Sequence, residues 1–311
     1  MKITAFDTKG RQVILPYPVS LNISKNTGVP ADSLTAVFTY ESPLPELAEI
    51  TVEDNSGKRE FTGVIDEQLV FCKNNISLLR LSCRSMAAVL LDNEAYPRSY
   101  ILPSIDVIFE KCLKPYGIKG YIGKDSAIST AFTVDKGMTC WQVLEDFCSR
   151  FLNVYPRINE DGLLDITNEK NTQKLNFSNQ GGIYYSGISK TVNRHKQVSH
   201  VIARTGLNTD YSYVVTNEQA VERGINNVRY LNCAEMPNEY LSLADKIIAN
   251  SQKKSVEYTI KCPQKLTDIL GCDAEIESDI IGSESGLTVT AVDYYINGDG
   301  EYTEIELCGK Q

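Results

Sequence analysis

The sequence has little of the chemistry that enzymes rely on. Its 311 residues include two histidines and one tryptophan. His195 and His200 lie in a stretch with extended-chain patterning, where their odd spacing sends them to opposite faces, so they cannot jointly grip a metal ion. No Gly-x-Ser-x-Gly elbow and no phosphate-binding Gly-Lys-Ser/Thr loop occurs. The sequence therefore predicts a protein that is not an enzyme and that holds no cofactor or metal.

Long apolar runs and an excess of basic residues are also missing. No apolar stretch approaches the roughly 18 residues of a membrane span, and the N-terminus lacks the pattern of a secretory signal. Lys and Arg total 31 against 40 Asp and Glu, which gives a net charge of −9. Nucleic-acid binders usually concentrate basic residues on one face. We therefore expect a cytoplasmic origin, no membrane insertion and no specific nucleic-acid binding.

The cysteines show no pattern of a metal site or a disulfide framework. There are nine, an odd number, with no Cys-x-x-Cys pair. Most fall within apolar-patterned segments, which favours reduced and buried thiols.

Residues 1–92 have the pattern of short antiparallel strands. Apolar residues recur at every second position in Val19–Ile23 and Leu34–Tyr40, the period of a half-buried strand. Turn sequences at Asp54–Gly57 and Lys73–Asn75 each separate two such runs and predict two consecutive hairpins. Closely spaced strands of this kind favour a barrel or sandwich, because closure removes exposed edges.

Residues 93–176 mix helix and strand. Ser104 can cap a first helix, which Pro115 and Gly117 would stop, and the capping box Thr139-x-x-Gln142 opens a second one. A hairpin across Asn159–Gly162 follows, so this segment is predicted to be a small α+β domain.

Sheet character returns over residues 177–311. Ile188–Thr205 is predicted as extended chain, and a polar, helical insertion follows at about 206–254. In that insertion Thr216-x-x-Gln219 opens a short helix closed by Gly224, and a longer helix covers Glu239–Gln252. The chain closes with a hairpin across Asn297–Gly300. The fold class predicted is α+β, mainly β, with two β modules flanking the small domain.

One charge pattern is confined to the end of the chain. Residues 255–311 contain twelve acidic residues against three lysines, a net charge of −9. Acids alternate there with small or apolar residues, which places them on one strand face, although like charges on one sheet face are destabilising. The pattern fits either a solvated outer face or an acidic wall that lines a water-filled passage. The predicted acidic stripe contains Asp273, Glu275, Glu277, Asp279, Glu304 and Glu306.

Several segments, taken in order, resemble phage tail baseplate hub proteins. They are Glu60–Ile65, Ser82–Ser85 with Leu90–Glu94, and Gly137–Leu144 with Asp161–Ile166. Within that family the chain is similar to the XkdQ-like and late-control-D group, found in contractile tails, defective prophages and phage-tail-like bacteriocins. None of these segments is a catalytic signature; their order and spacing carry the resemblance.

The resemblance implies two tube-like β-barrels, at 1–92 and 177–311, around an α+β domain at 93–176. It further implies a homotrimeric ring that adapts the hexameric tail tube to the trimeric central spike. The implied partners are the tail tube, spike, tape-measure and baseplate wedge proteins, in a particle assembled in the cytoplasm. The acidic stripe would then face the lumen. Since the chain ends at Gln311, soon after its second β module, we expect no lysozyme or peptidase extension.

Two other functions remain open from the residues alone. Paired carboxylates could serve a tail-associated cell-wall hydrolase as acid and base. The seventeen tyrosines permit a carbohydrate-binding β module, which needs exposed aromatic rings.

Overall fold

The computed structural model describes residues 1–126, 128–167, 173–206, 210–234 and 237–309. Strands contain 46% of the residues and helices 19%. The predicted fold class, α+β and mainly β, is confirmed. Within the described ranges, no helix combines the length and apolar character needed to cross a membrane.

The chain divides into two compact units. The first comprises Met1–Lys170, Gln264–Leu270 and Val292–Thr303, and the second comprises Asn171–Pro263, Gly271–Ala291 and Glu304–Gln311. Both units are therefore built from separate stretches of chain. The finer division at 1–92, 93–176 and 177–311 stays a prediction.

The N-terminal part of the first unit contains seven antiparallel strands. They are β1 (Lys2–Asp7), β2 (Gln12–Leu15), β3 (Ser20–Asn26), β4 (Ser33–Thr39), β5 (Leu47–Glu53), β6 (Arg59–Lys73) and β7 (Ile76–Ser85). Their order in the sheet is β3-β4-β7-β6-β5-β1-β2, and the sheet continues beyond β3 with β20 (Gly282–Asn297), whose part from Val292 belongs to this unit. Both predicted hairpins are present, as β5–β6 and β6–β7.

The alternation seen in the sequence explains how this sheet packs. Leu21 and Ile23 of β3, like Leu34, Ala36 and Phe38 of β4, are almost fully buried, and their neighbours face outwards. All seven strands contribute to one hydrophobic cluster. The inward faces of these strands therefore share one core.

The remainder of the first unit is a helical layer with short strands around a second hydrophobic cluster. Its helices are continued by π-helical turns at Phe109–Leu113 and Cys148–Leu152 and by a 3₁₀ turn at Lys114–Tyr116. Its elements are α1 (Ala87–Asp92), β8 (Arg98–Ile101), α2 (Ile105–Ile108), β9 (Tyr121–Ile122), β10 (Ala131–Val134), α3 (Cys140–Phe147), β11 (Arg157–Ile158) and β12 (Leu164–Asp165).

The capping box predicted at α3 is present in full. The Thr139 hydroxyl accepts a hydrogen bond from the Gln142 backbone N–H, and the Gln142 side chain accepts one from the Thr139 N–H. Gly117 follows the first helical stretch with a φ of +87°, the left-handed conformation that suits a glycine at a helix end. Ser104, by contrast, makes no side-chain capping bond.

The second unit combines a β-sheet with a small helical subdomain. Its elements are β13 (Lys174–Ser178), β14 (Gly187–Val192), a 3₁₀ turn (Arg194–Lys196), β15 (His200–Arg204), β16 (Tyr213–Thr216), α4 (Glu218–Glu222), β17 (Val228–Asn232), a 3₁₀ turn (Pro237–Glu239), α5 (Tyr240–Lys253), β18 (Val256–Cys262), β19 (Asp273–Ser278), β20 (Gly282–Asn297) as far as Ala291, and β21 (Gly300–Gly309) from Glu304 onwards. The sheet order is β14-β18-β21-β20-β19-β13, with β13 and β19 parallel. The subdomain pairs β16-β15-β17 and packs α5 on one side.

Two local predictions in this unit were wrong in detail. The stretch expected to be extended over Ile188–Thr205 is interrupted by the 3₁₀ turn that contains His195. The short helix is capped by Asn217, whose side chain accepts from the Ala220 N–H, and not by Thr216. Asn is among the best N-cap residues, so the cap lies one position later than the Thr-x-x-Gln pattern indicates. The cysteines are free thiols as predicted, and seven of the nine are buried.

A cluster of four charged side chains holds the first sheet of the first unit to its helical layer. Lys25, at the end of β3, pairs with Glu160, and its side chain is 2% exposed. Arg157 donates to both carboxylate oxygens of Asp32, at 3.0 and 2.9 Å. Burial raises the pKa of Asp32, and the nearby Arg157 and Lys25 oppose that shift. Removing one side chain of either ion pair is therefore expected to lower the stability of the protein.

We expect Lys25→Met to lower the free energy of unfolding by about 1 kcal/mol, because it leaves Glu160, whose side chain is 34% exposed, without its cation. Chemical denaturation of the full chain measures this loss. Lys9→Met removes an exposed lysine and serves as control. A double variant with Glu160→Gln should lose less than the two single variants together; strict additivity would show that the two side chains do not interact.

Candidate interaction face on the second sheet

The predicted acidic stripe begins on β19, where the structure confirms strict alternation. Ala274 and Ile276 are each 1% exposed and point into the second unit. Asp273, Glu275 and Glu277 therefore lie together on the opposite face.

Asp279 does not belong to this strand face, contrary to the sequence expectation. β19 ends at Ser278, and Asp279 lies in the turn that leads to Gly282 at the start of β20. Gly282 has a φ of +89°, so the chain reverses direction there. A tight turn between two antiparallel strands removes Asp279 from the alternation that the sequence pattern suggested.

Glu304 and Glu306 repeat the arrangement on β21. They alternate with Ile305 and Leu307, which are fully buried. Between β19 and β21 runs β20, where Thr288 lies directly opposite Asp273. Thr288 and Thr290 thus lie between the two acidic strands, while Asp293, farther along β20, faces outwards between the buried Val292 and Tyr294.

One acidic residue on this surface was missed in the sequence. On β18, Tyr258 and Ile260 are buried, so Glu257, one position before Tyr258, faces outwards. The acids of β21, the adjacent strand, also face outwards. The period-two pattern at 256–262 could have found it. We call the full set the acidic face: Asp273, Glu275, Glu277, Glu304, Glu306 and Glu257.

Three lysines partly neutralise the acidic face. Lys174 pairs with Glu275 at 2.7 Å and Lys261 approaches Glu304 at 3.8 Å. Lys196 pairs with Glu257 at 2.5 Å. Six carboxylates against three lysines leave the face negative. Lys174 reaches Glu275 through the parallel β13–β19 pairing, a contact between distant stretches that no local sequence pattern shows.

The histidines give no sign of a metal or catalytic centre. His195 lies in the 3₁₀ turn, and the Nδ1 atom of His200 is 2.9 Å from the Ser199 hydroxyl. Over the described ranges, no group of three or more His, Cys, Asp or Glu side chains is arranged to hold a metal ion.

The comparisons with known proteins identify the fold. No protein-family model matches the sequence, and no curated protein matches it either. Among solved structures, the chain superposes on the 43 kDa tail protein of prophage MuSo2 from Shewanella oneidensis with a TM-score of 0.79 at 16% identity, covering 99% of this chain and 97% of that one. The fold is that of phage tail proteins.

Two further structures agree. A tail protein from Neisseria meningitidis gives a TM-score of 0.73 at 17% identity, over 99% of this chain and 96% of that one. A component of the E. coli type VI secretion system, itself similar to the T4 bacteriophage tail proteins gp27 and gp5, gives 0.56 at 10% identity, over 94% and 73%. The resemblance stated from the sequence is thus confirmed at the level of the fold.

Crowding of carboxylates on the acidic face should cost stability. We expect Glu277→Gln to raise the free energy of unfolding by about 0.3 kcal/mol at low salt, because it relieves repulsion between like charges. The gain should shrink in high salt, which screens that repulsion. Urea denaturation at two salt concentrations measures it, with Glu41→Gln as an exposed control. A loss of stability confined to Glu277→Gln would contradict the repulsion.

Proposed function

We propose that this chain is a structural baseplate hub of a contractile, phage-type injection particle. The observation that carries the proposal is the superposition over 99% of the chain on a prophage tail protein. The ordered segments that resemble hub proteins in the sequence agree with it. In this role the chain acts by assembly and performs no catalysis.

In the proposed particle, three copies form a ring between the hexameric tail tube and the trimeric central spike. Each chain supplies two sheet modules, at 1–92 and 177–311, so three chains offer six modules to a sixfold tube. The small domain at 93–176 lies between these modules in the sequence. The similarity to a type VI secretion component that resembles gp27 and gp5 supports such a tube-to-spike role.

The partners follow from that position. They are two further copies of this chain, the tail tube protein, the central spike, the tape-measure protein and the baseplate wedge proteins. The chain assembles with them in the cytoplasm and then resides in the baseplate of a phage tail or a released tail-like particle.

We propose further that the acidic face lines the lumen of the ring. A passage wall has to stay wet and must not retain what passes through it. Carboxylates repel the phosphates of DNA, so a phage genome would slide past them, and they attract cations, which favours ion flow in a bacteriocin. The net negative charge that remains beside Lys174, Lys196 and Lys261 supports this role.

Native mass spectrometry of the full chain with its spike protein tests the hub role. We expect three copies of this chain for each spike trimer, since weak self-association of a hub is strengthened when a partner binds the assembled form. The chain without its spike provides the comparison. A stable one-to-one complex of monomers, or no complex at all, would contradict the hub role.

Charge reversal in the acidic face tests the lumen. We expect Glu275→Lys combined with Glu277→Lys to leave particle assembly intact but to slow DNA ejection or lower ion conductance, because the wall then attracts polyanions and repels cations. Particle yield is measured first, because the variant places a lysine beside Lys174, the present partner of Glu275. Glu41→Lys with Glu46→Lys changes the same charge elsewhere. Transport equal to that of the control would refute the lumen assignment.

A further inference from the structure

The β6 edge of the β6–β7 hairpin in the first unit extends beyond its pairing with β5, whereas β4 covers the β7 edge as far as Leu78. β5 pairs with β6 only from Arg59 to Val64, whereas β6 continues to Lys73. Its turn is formed by Asn74 and Asn75, with φ values of +51° and +64°, the left-handed conformation that a two-residue hairpin turn requires. We call residues 69–80 the arm.

The outer face of the arm is apolar and cationic. Register pairs place Leu69 opposite Arg80, Phe71 opposite Leu78, and Lys73 opposite Ile76. Residues directly opposite one another share a face of the sheet, so these six side chains form one surface. Leu69 is 39% and Ile76 is 55% exposed. Four apolar side chains thus lie between two cations.

Arg80, one of the two cations of the arm, is oriented by an aromatic ring. The Arg80 guanidinium carbon lies 5.4 Å from the centre of the Phe71 ring, which fixes its direction by a cation–π contact. In the part of the chain that the structure describes, neither Arg80 nor Lys73 pairs with a carboxylate. Other cations, such as Lys25, Arg84 and Lys190, are paired.

The turn between β19 and β20 is apolar and acidic, which complements the apolar and cationic surface of the arm. Ile280, at its tip, is 86% exposed. The Ser278 hydroxyl accepts hydrogen bonds from the backbone N–H groups of Ile280 and Ile281, at 3.2 and 3.4 Å, which fixes the turn with Ile280 outward. Asp279 precedes Ile280, and among the described residues it pairs with no cation. We call residues 278–281 the acidic turn.

Single exposed apolar residues are ordinary on a protein surface. These two surfaces differ from that background because each combines preorganised apolar groups with unpaired charge, and the charges are of opposite sign. A strand edge with exposed apolar side chains is also a site of self-association unless it is covered.

We propose that the arm of one copy of this chain binds the acidic turn of the next copy. Ile280 would pack among Leu69, Phe71 and Ile76, while Asp279 meets Arg80. The two surfaces lie at different places on the chain, so the contact is heterologous: repeated, it closes into a ring or extends as a filament. The inference rests on the proposed function, to which it adds the surfaces that join the copies of the ring.

A charge swap tests the contact. Arg80→Glu and Asp279→Lys should each weaken self-association of the full chain about tenfold, and the double variant should restore it, since the pair is then reversed but complementary. Sedimentation velocity over a concentration series measures the dissociation constant, and native mass spectrometry measures the number of copies. Ile280→Ser should weaken association without rescue by Arg80→Glu.

Matched controls are Arg229→Glu and Asp299→Lys, which change the same charges at other exposed positions. Association unchanged in both single variants, or a double variant no tighter than either single one, overturns the contact. A wild-type chain that stays monomeric at every concentration also overturns it. The hub role is judged separately by its complex with the spike, so the two ideas can fail independently.

Discussion

Each strand of a sheet presents alternate residues to opposite faces, and an antiparallel sheet with one solvated face buries only the other. This constraint governs the whole molecule. In the first unit it collects the apolar residues of seven strands into one cluster. In the second it puts Ala274, Ile276, Ile305 and Leu307 inside. The acids that alternate with them are consequently forced into one exposed group, so the acidic face is a direct product of the same pattern that builds the core.

Features set by neighbouring residues could be predicted from the sequence. The capping box at Thr139 and the hairpin turns depend on residues two to four positions apart, and the structure contains them as expected. The helix cap at Asn217 was displaced by one residue because adjacent Thr and Asn can both serve as caps. Asp279 was placed wrongly because alternation continues in a sequence even where the strand has ended.

Features that join distant stretches could not be predicted. Lys174 meets Glu275 only because β13 and β19 run parallel, and such a pairing leaves no periodic mark in either segment. The same holds for Lys25 and Glu160, whose ion pair links the first sheet of the first unit to its helical layer. The alternation pattern therefore predicts which face of a strand a residue occupies. Contacts between distant segments depend instead on how the strands pair in the fold. The ion pairs that Glu275, Glu304 and Glu257 form with lysines are contacts between distant segments of this kind.

The acidic face, which we propose lines a lumen, and the arm with its acidic turn, which we propose joins two copies, differ in how water solvates them. The acidic face has no large exposed apolar group among the residues that define it, and its carboxylates stay solvated, so covering it with protein would cost desolvation without a hydrophobic gain. The arm and the acidic turn carry Leu69, Ile76 and Ile280 beside charges, and burying such groups releases water from apolar surface. The proposed wall, which stays wet, and the proposed joint, which becomes dry, thus require different side chains. Because strand alternation separates Ile276 from Glu277 while the turn brings Ile280 next to Asp279, one stretch of six residues can provide both.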